Sequence, residues 1–111
     1  MTLSNERQLN EKQLEALRAF LALVHEAERD LSESFETGMM SDSKSSVFAV
    51  SRASEKLELP ADMLAEIQQM ALEARYGATG DGDVYRRAGC AIAAIGRIER
   101  YVEPLLAVGK Q

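Results

Sequence analysis

This sequence has little of what usually fixes a protein to one chemistry. It contains no tryptophan, one histidine, one cysteine and two prolines in 111 residues. The lone cysteine, Cys90, cannot form an internal disulfide, which excludes a secreted disulfide scaffold and favours a reducing compartment. No apolar run reaches the roughly 18 residues that a membrane-spanning helix requires. The polar start MTLSNERQLNEK lacks the apolar core of a secretory signal, so we expect a cytoplasmic protein with no membrane contact.

The apolar residues that are present favour helices. Hydrophobic residues make up 46% of the chain, too many for a disordered tail, and most of them are Ala, Leu, Val, Ile and Met. The net charge of −5 repels phosphate backbones, so nucleic acid is not an expected partner. Residues 1–111 are therefore predicted to form one all-α domain, a small bundle of about four helices with long first and last helices.

The first helix is predicted to begin near Asn10, which forms a variant capping box with Gln13. Gly38 is a suitable C-terminal stop. Glu28 interrupts the apolar stripe of this helix, and a carboxylate placed there needs a partner or a proton. The stripe consists of Leu14, Leu17, Leu21, Val24, Leu31 and Phe35, widened by Phe20 and Ala27.

The middle of the chain gives weaker patterns. We expect residues 1–9 to form a flexible tail and residues 39–46 a polar linker. A second helix is predicted near Ser45 to Leu57, although SVFAVS also fits a short strand.

Pro60 suits the first turn of a third helix, which is predicted to end at Tyr76-Gly77. The apolar face of this helix consists of Met63, Leu64, Ile67, Met70, Ala71 and Ala74. The glycine-rich loop after the third helix lacks the lysine of a phosphate-binding loop and the glutamate of a calcium loop. Asp83, at the end of this loop, suits the N-cap of the last helix.

The last helix shows two apolar faces. A second face carries Tyr85, Gly89, Ile92 and Gly96. Its two glycines cost roughly 1 kcal/mol each relative to alanine, and they are tolerated more readily where another backbone packs closely. One interpretation buries this face inside the bundle, and the other makes it the binding site for a second copy or another protein. Pro104 is expected to kink or end the helix. The main stripe consists of Val84, Ala88, Ala91, Ile95, Ile98, Val102 and Leu105.

No group of residues has the spacing of a catalytic or metal-binding motif. His25 is the only histidine, and no other ligand follows it at the spacing of a zinc motif. Glu28 is expected to pair with Arg87 or to reach water. An enzyme or small-ligand site would require His25, Glu28 and Arg87 to converge. We therefore expect no enzymatic activity, no metal ion and no cofactor.

The length, the acidity, the succession of helices and the apolar last helix YRRAGCAIAAIGRIERYVEPLLAV resemble the small bacterial antiactivators of quorum sensing. This resemblance covers most of the chain in general character. It implies a helical, often dimeric protein that binds a LuxR-type transcription regulator and blocks its dimerisation. No diagnostic motif is matched, so the resemblance assigns no binding residue.

These observations predict a non-catalytic protein that binds and inhibits another protein, most specifically a transcription regulator, and that forms a homodimer. Tyr85, Gly89, Ile92 and Gly96 are the predicted partner-binding residues. Two alternatives remain open at this point. One is an immunity or anti-defence protein that neutralises a basic toxin or nuclease, and the other is a helical enzyme or ligand-binding domain.

Overall fold

The computed structural model describes residues 9–38, 41–80 and 82–109. Within these ranges the chain forms four α-helices and no β-strand, which confirms the predicted fold class. The first and last helices are the longest, with 27 and 26 residues. None of the described helices is both long enough and apolar enough to cross a membrane. The helices are α1 (Glu11–Thr37), α2 (Ser41–Glu55), α3 (Ala61–Thr79) and α4 (Val84–Gly109).

Each helix packs against two others, in the cyclic order α1, α2, α3, α4. Consecutive helices are joined by short connections and pack along each other, so they run antiparallel. Ser34 donates a hydrogen bond to Ser43, and Arg87 donates one to a carbonyl in the last turn of α3. Helix α4 returns beside α1, so that its first turn lies next to Phe35. The result is an up-down-up-down four-helix bundle.

The predicted helix caps are present. The Asn10 side chain accepts from the backbone N–H of Gln13, and the Gln13 side chain accepts from the backbone N–H of Asn10, both at 2.8 Å. At the other end of α1, Gly38 has the left-handed φ of 75° and donates its N–H to the Ser34 carbonyl. Asp83 caps α4 by accepting from a backbone N–H three residues later, at 3.0 Å.

The core runs along the axis of the bundle and receives side chains from all four helices. Of the predicted flexible tail, residues 1–8 lie outside the described residues, and Leu9 is half-buried against the core. The stripes predicted for the first, third and last helices supply most of the buried positions. The largest fully buried side chains are Phe20, Leu17, Leu31, Met63, Ile67, Ile95 and Ile98.

The predicted linker 39–46 is mostly wrong. Helix α2 begins at Ser41, so residues 41–46 are helical, and residues 39–40 lie outside the described ranges. This first turn is held because Ser43 is fully buried against α1. The strand alternative for SVFAVS is also wrong, since the whole segment lies within α2. The short connection keeps α1 and α2 antiparallel and adjacent.

Of the two effects expected of Pro104, ending the last helix is wrong. Helix α4 continues through Pro104 to Gly109. A proline in a helix removes one backbone hydrogen bond and crowds the preceding turn. The buried side chains of Val102 and Leu106 on either side pack against the core, and this packing offsets the loss.

Phe35 was predicted as part of the buried stripe of α1, and this is wrong. Its side chain is 46% exposed, whereas Ser34 is buried. Ser34 donates a hydrogen bond of 2.8 Å to the buried Ser43 of α2, which satisfies both hydroxyls without an apolar contact. The last turn of α1 therefore turns a serine towards α2 and leaves its phenylalanine on the side of α4.

Candidate functional site

An exposed aromatic pair lies where the end of α1 meets the start of α4. The rings of Phe35 and Tyr85 meet edge to face, with centroids 5.6 Å apart and planes at 75°. Phe35 remains 46% exposed and Tyr85 52% exposed. The pair is a favourable aromatic geometry, yet roughly half of each ring is left in contact with water.

An open groove extends from this pair along the junction of α1 and α4. Its volume is about 380 Å³, and its lining is mostly apolar. We call it the α1·α4 groove. It is lined by Ser32, Phe35 and Glu36 of α1 and by Gly89 and Ile92 of α4.

Gly89 gives this groove its depth. A Cβ placed on Gly89 would meet no atom within 4 Å, so no neighbouring backbone explains the glycine. At Gly96 the nearest atom is the mobile end of Arg100, at 3.4 Å. The close approach expected at these glycines occurs at Gly77 instead, whose Cβ would lie 2.9 Å from the backbone nitrogen of Ala91. Small residues therefore bring α3 against α4, while Gly89 faces open space.

The four predicted partner-binding residues share one surface of α4. Tyr85 is exposed, and Gly89, Ile92 and Gly96 are half-buried. The interpretation that buried this face on both sides within one bundle is wrong. Helix α4 packs against α1 and α3 only, and the face lies beside α1 rather than beneath another helix. Ile92 also contacts the core from the outside.

A group of ionisable side chains lies further along the same two helices. The Nε2 atom of His25 is 3.4 Å from Oε2 of Glu99 and 3.6 Å from Oε2 of Glu103. Glu28 hydrogen-bonds to Glu99. We call His25, Glu28, Glu99 and Glu103 the carboxylate cluster. Three carboxyls and one imidazole therefore meet across the junction of α1 and α4.

Glu99 titrates far from its ordinary range. Burial raises the pKa of its carboxyl from 4.5 to about 7, and the hydrogen bond and negative charge of Glu28 add to this effect. Glu103 raises the pKa further, whereas His25 opposes the shift. The Glu99 side chain is only 14% exposed. A proton on Glu99 near neutral pH lets it donate to Glu28 and relieves the repulsion between the two carboxyls.

Arg87 does not join this group. The sequence suggested that Arg87 pairs with Glu28, but its Nη2 atom donates to the carbonyl of Ala78 at 2.6 Å. Arg87 therefore places a positive charge at the C-terminus of α3, where the helix dipole favours it. The convergence of His25, Glu28 and Arg87 that an enzymatic site would require does not occur.

Two other side chains of α4 have ordinary surroundings. Arg97 forms an ion pair with Glu73 of α3, so it belongs to an intrachain contact. Cys90 is exposed. In the described portions of the chain, no set of three or more His, Cys, Asp or Glu side chains is arranged to hold a metal ion.

Sequence reasoning missed the contribution of α1 to the groove. Phe35 has the spacing of a core residue, and Ser32 and Glu36 are ordinary polar surface residues in sequence. Only the antiparallel return of α4 beside α1 places these three residues opposite Gly89 and Ile92. The best available signal was the pair of mid-helix glycines, which lie on the face of α4 that borders the groove.

Comparison with protein-family models, with curated proteins and with solved structures finds no match to this chain. The surface of the bundle is therefore the only guide to function.

Proposed function

We propose that this chain is a non-catalytic protein–protein interaction module that binds and inhibits another protein through the α1·α4 groove. The observation that carries the proposal is the half-exposed pair of Phe35 and Tyr85 beside a glycine, Gly89, that faces open space. Exposed aromatic residues around an apolar depression are the usual centre of a protein interface.

The energetic argument favours a partner that covers the groove. Full burial of an aromatic or aliphatic side chain contributes roughly 1.5–3 kcal/mol. In the free chain, folding already supplies about half of this stabilisation for Phe35 and Tyr85, since about half of each side chain is exposed. A partner that covers both rings and Ile92 gains the rest, before the cost of ordering the complex is subtracted.

The resemblance to quorum-sensing antiactivators supports a more specific partner. A bacterial transcription regulator of the LuxR type is the proposed target, bound in the cytoplasm and kept from forming its own dimer. The groove supplies the kind of surface that such sequestration requires. It is a rigid apolar face on two long helices, which can take the place of a regulator subunit.

The acidic part of the surface favours a second candidate function, an immunity or anti-defence protein. Glu28, Glu99 and Glu103 form a concentration of carboxyls next to the groove. A basic toxin or nuclease would be attracted to this region, and its association rate would fall steeply with added salt. The identity of the captured protein distinguishes the two functions.

The test is affinity capture from the native cell with three tagged proteins. These are the wild type, Ile92→Arg, and Leu64→Arg as a matched control. Leu64 is also half-buried and packed against the core, but it lies on α3, away from the groove. We expect the wild type and Leu64→Arg to retain the same protein and Ile92→Arg to lose it, with all three equally helical by circular dichroism.

One result would contradict the proposal directly, and another would transfer the test to a second variant. If a folded Ile92→Arg protein retains the partner, binding does not use the groove. If Ile92→Arg unfolds while Leu64→Arg does not, Ile92 acts as a core residue, and the exposed Tyr85→Ala variant then decides the question. A homodimer formed through the same face is the competing arrangement. The mass of the pure protein in solution, with and without Ile92→Arg, identifies it.

A further inference from the structure

We propose that the occupant of the α1·α4 groove is an amphipathic helix of the partner, with apolar anchors at one end and basic residues at the other. This inference rests on the proposed function and adds the chemistry of the bound segment. The apolar anchors would cover Phe35, Tyr85 and Ile92. The basic residues would lie over the carboxylate cluster.

The groove and the carboxylate cluster lie on one continuous line. On α4 the positions Gly89, Ile92, Gly96, Glu99 and Glu103 follow one another at intervals of three and four, which places them on one side of the helix. Helix α1 runs antiparallel to α4 and contributes a second row of side chains that faces this one. From the aromatic end it runs through Phe35, Ser32, Glu28 and His25.

The length and shape of this line suit a helix. Ile92 lies seven positions from Glu99 and eleven from Glu103, or roughly 10 and 16 Å along α4 at 1.5 Å per residue. A bound helix of about four turns spans both regions. Gly89 leaves open space beside Ile92, so a neighbouring backbone can approach closely there.

The charges along this line determine which charge the partner's side chains should carry. The cluster contains three carboxyls and one imidazole, and Glu36 adds a fourth carboxyl at the apolar end. The cation that borders the line is Arg100, whose guanidinium lies beside Gly96. Even when Glu99 is protonated, the three other carboxyls outnumber the arginine, so lysine or arginine on the partner is favoured and acidic residues are repelled.

The pKa of Glu99 makes binding depend on pH, which the apolar contacts alone would not do. Its carboxyl, with a pKa near 7 in the free chain, faces Glu28 and His25 of α1 and Glu103 of α4. A lysine brought next to it stabilises the ionised form, so binding releases a proton. The affinity for a basic helix therefore increases as the pH rises from 6 to 8.

The experiment uses two synthetic helical peptides of about 18 residues, each carrying a fluorophore. Both have two leucines four residues apart near one end. One has two lysines on the same face about three turns further on, and the other has glutamates there. Fluorescence anisotropy measures their binding to the wild type, to Ile92→Arg, to the Leu64→Arg control and to a Glu99→Gln, Glu103→Gln double variant.

We expect the lysine peptide to bind the wild type at least about tenfold more tightly than the glutamate peptide at low salt. The double variant should lose this preference and its pH dependence, Ile92→Arg should weaken both peptides, and Leu64→Arg should change neither. Equal affinity for the two peptides, a lysine preference that survives in the double variant, or no saturable binding up to about 1 mM overturns the inference.

The outcomes also separate this inference from the proposed function. If Ile92→Arg abolishes capture of the cellular partner but the charge of the peptide has no effect on binding, the groove is an interface, and the inference that it binds a basic helix is wrong. If the pure protein is a dimer that Ile92→Arg dissociates, a second copy covers the groove, and the inference is overturned.

Discussion

Tyr85, in the first turn of α4, meets Phe35, in the last turn of α1, edge to face with a centroid separation of 5.6 Å. This contact closes the bundle at one end by joining the first helix to the last. It also leaves both rings about half exposed. The same two side chains therefore stabilise the fold and form the rim of the groove.

The aromatic pair should contribute measurably to stability. In a double-mutant cycle of Phe35→Ala and Tyr85→Ala, we expect a coupling of about 0.5–1 kcal/mol, the low end for aromatic pairs, since both rings are partly hydrated. Urea denaturation measures the four free energies of unfolding. Phe48→Ala with Tyr85→Ala is the control, because Phe48 lies on α2 beneath Arg75 and should be additive with Tyr85. A coupling no larger than that control would contradict the prediction.

The two glycines at positions 77 and 89 should respond in opposite directions to alanine. Gly89→Ala places a methyl group in open space, so we expect stabilisation by up to about 1 kcal/mol from helix propensity. Gly77→Ala drives a methyl group against the backbone of Ala91, so we expect a loss of about 1–3 kcal/mol. Thermal and urea unfolding of both variants measure these changes. Loss of stability in Gly89→Ala would show that its surroundings are already filled.

Gly89→Ala also tests function separately from stability. If the partner packs closely over this position, the more stable variant should bind it more weakly, by roughly 1 kcal/mol or more for a methyl group that is not accommodated. Capture of the partner by the variant and by the wild type at equal concentration gives the comparison. Unchanged capture would place the partner backbone elsewhere on the groove.

The cap at the start of α1 should be worth about 1 kcal/mol. Asn10→Ala removes the side chain that accepts from the Gln13 N–H, and such losses cost about 0.5–2 kcal/mol. Asn10→Asp preserves an acceptor at the same place and should retain most of the stability. Equal unfolding midpoints for the wild type and Asn10→Ala would mean that Leu9 and the core hold this end without the cap.

Stability should decline as the pH rises through 7. The folded-state pKa of Glu99, about 7, lies above its ordinary value, so the folded state binds the proton more tightly than the unfolded state. The contribution of this group is complete below about pH 4.5 and is lost as the pH rises past 7. Glu99→Gln keeps a hydrogen-bond donor towards Glu28 without the charge.

We therefore expect Glu99→Gln to be more stable than the wild type at pH 8 and to show a flatter pH profile between 5.5 and 8. Chemical denaturation across that range provides the measurement. Glu73→Gln is the control, since this carboxylate pairs with Arg97 at the exposed junction of α3 and α4. A wild-type profile that is flat, or that rises with pH, would contradict the assignment of the shifted group.

The sequence predicted the helices better than their connections. Caps and apolar periodicity are local, and Asn10, Gln13 and Gly38 were correctly placed from residue types alone. The linker at 39–46 was wrong because its polar residues also suit a helix whose serines pair with those of a neighbour. Ser43 is fully buried against Ser34, and no local rule predicts a buried pair of hydroxyls.

The candidate site was only half predictable. Tyr85, Gly89 and Ile92 were found from the second apolar face of the last helix, because a face with glycines and large apolar groups stands out in the sequence. Their counterpart, Phe35, was assigned to the core. Periodicity places positions 34 and 35 on neighbouring sides of the helix, 100° apart, and does not determine which of them meets α2.

The sequence by itself determined an all-helical chain, the caps of its first and last helices, and most of the residues that form its core. These properties depend on neighbours within about one or two turns, which the sequence states directly. Only the tertiary structure decided that α4 lies beside α1, that Phe35 and Tyr85 meet at the surface, and that Glu28 faces Glu99. Each of these contacts joins the first helix to the last. Whether the two helices meet depends on how all four helices pack around one core.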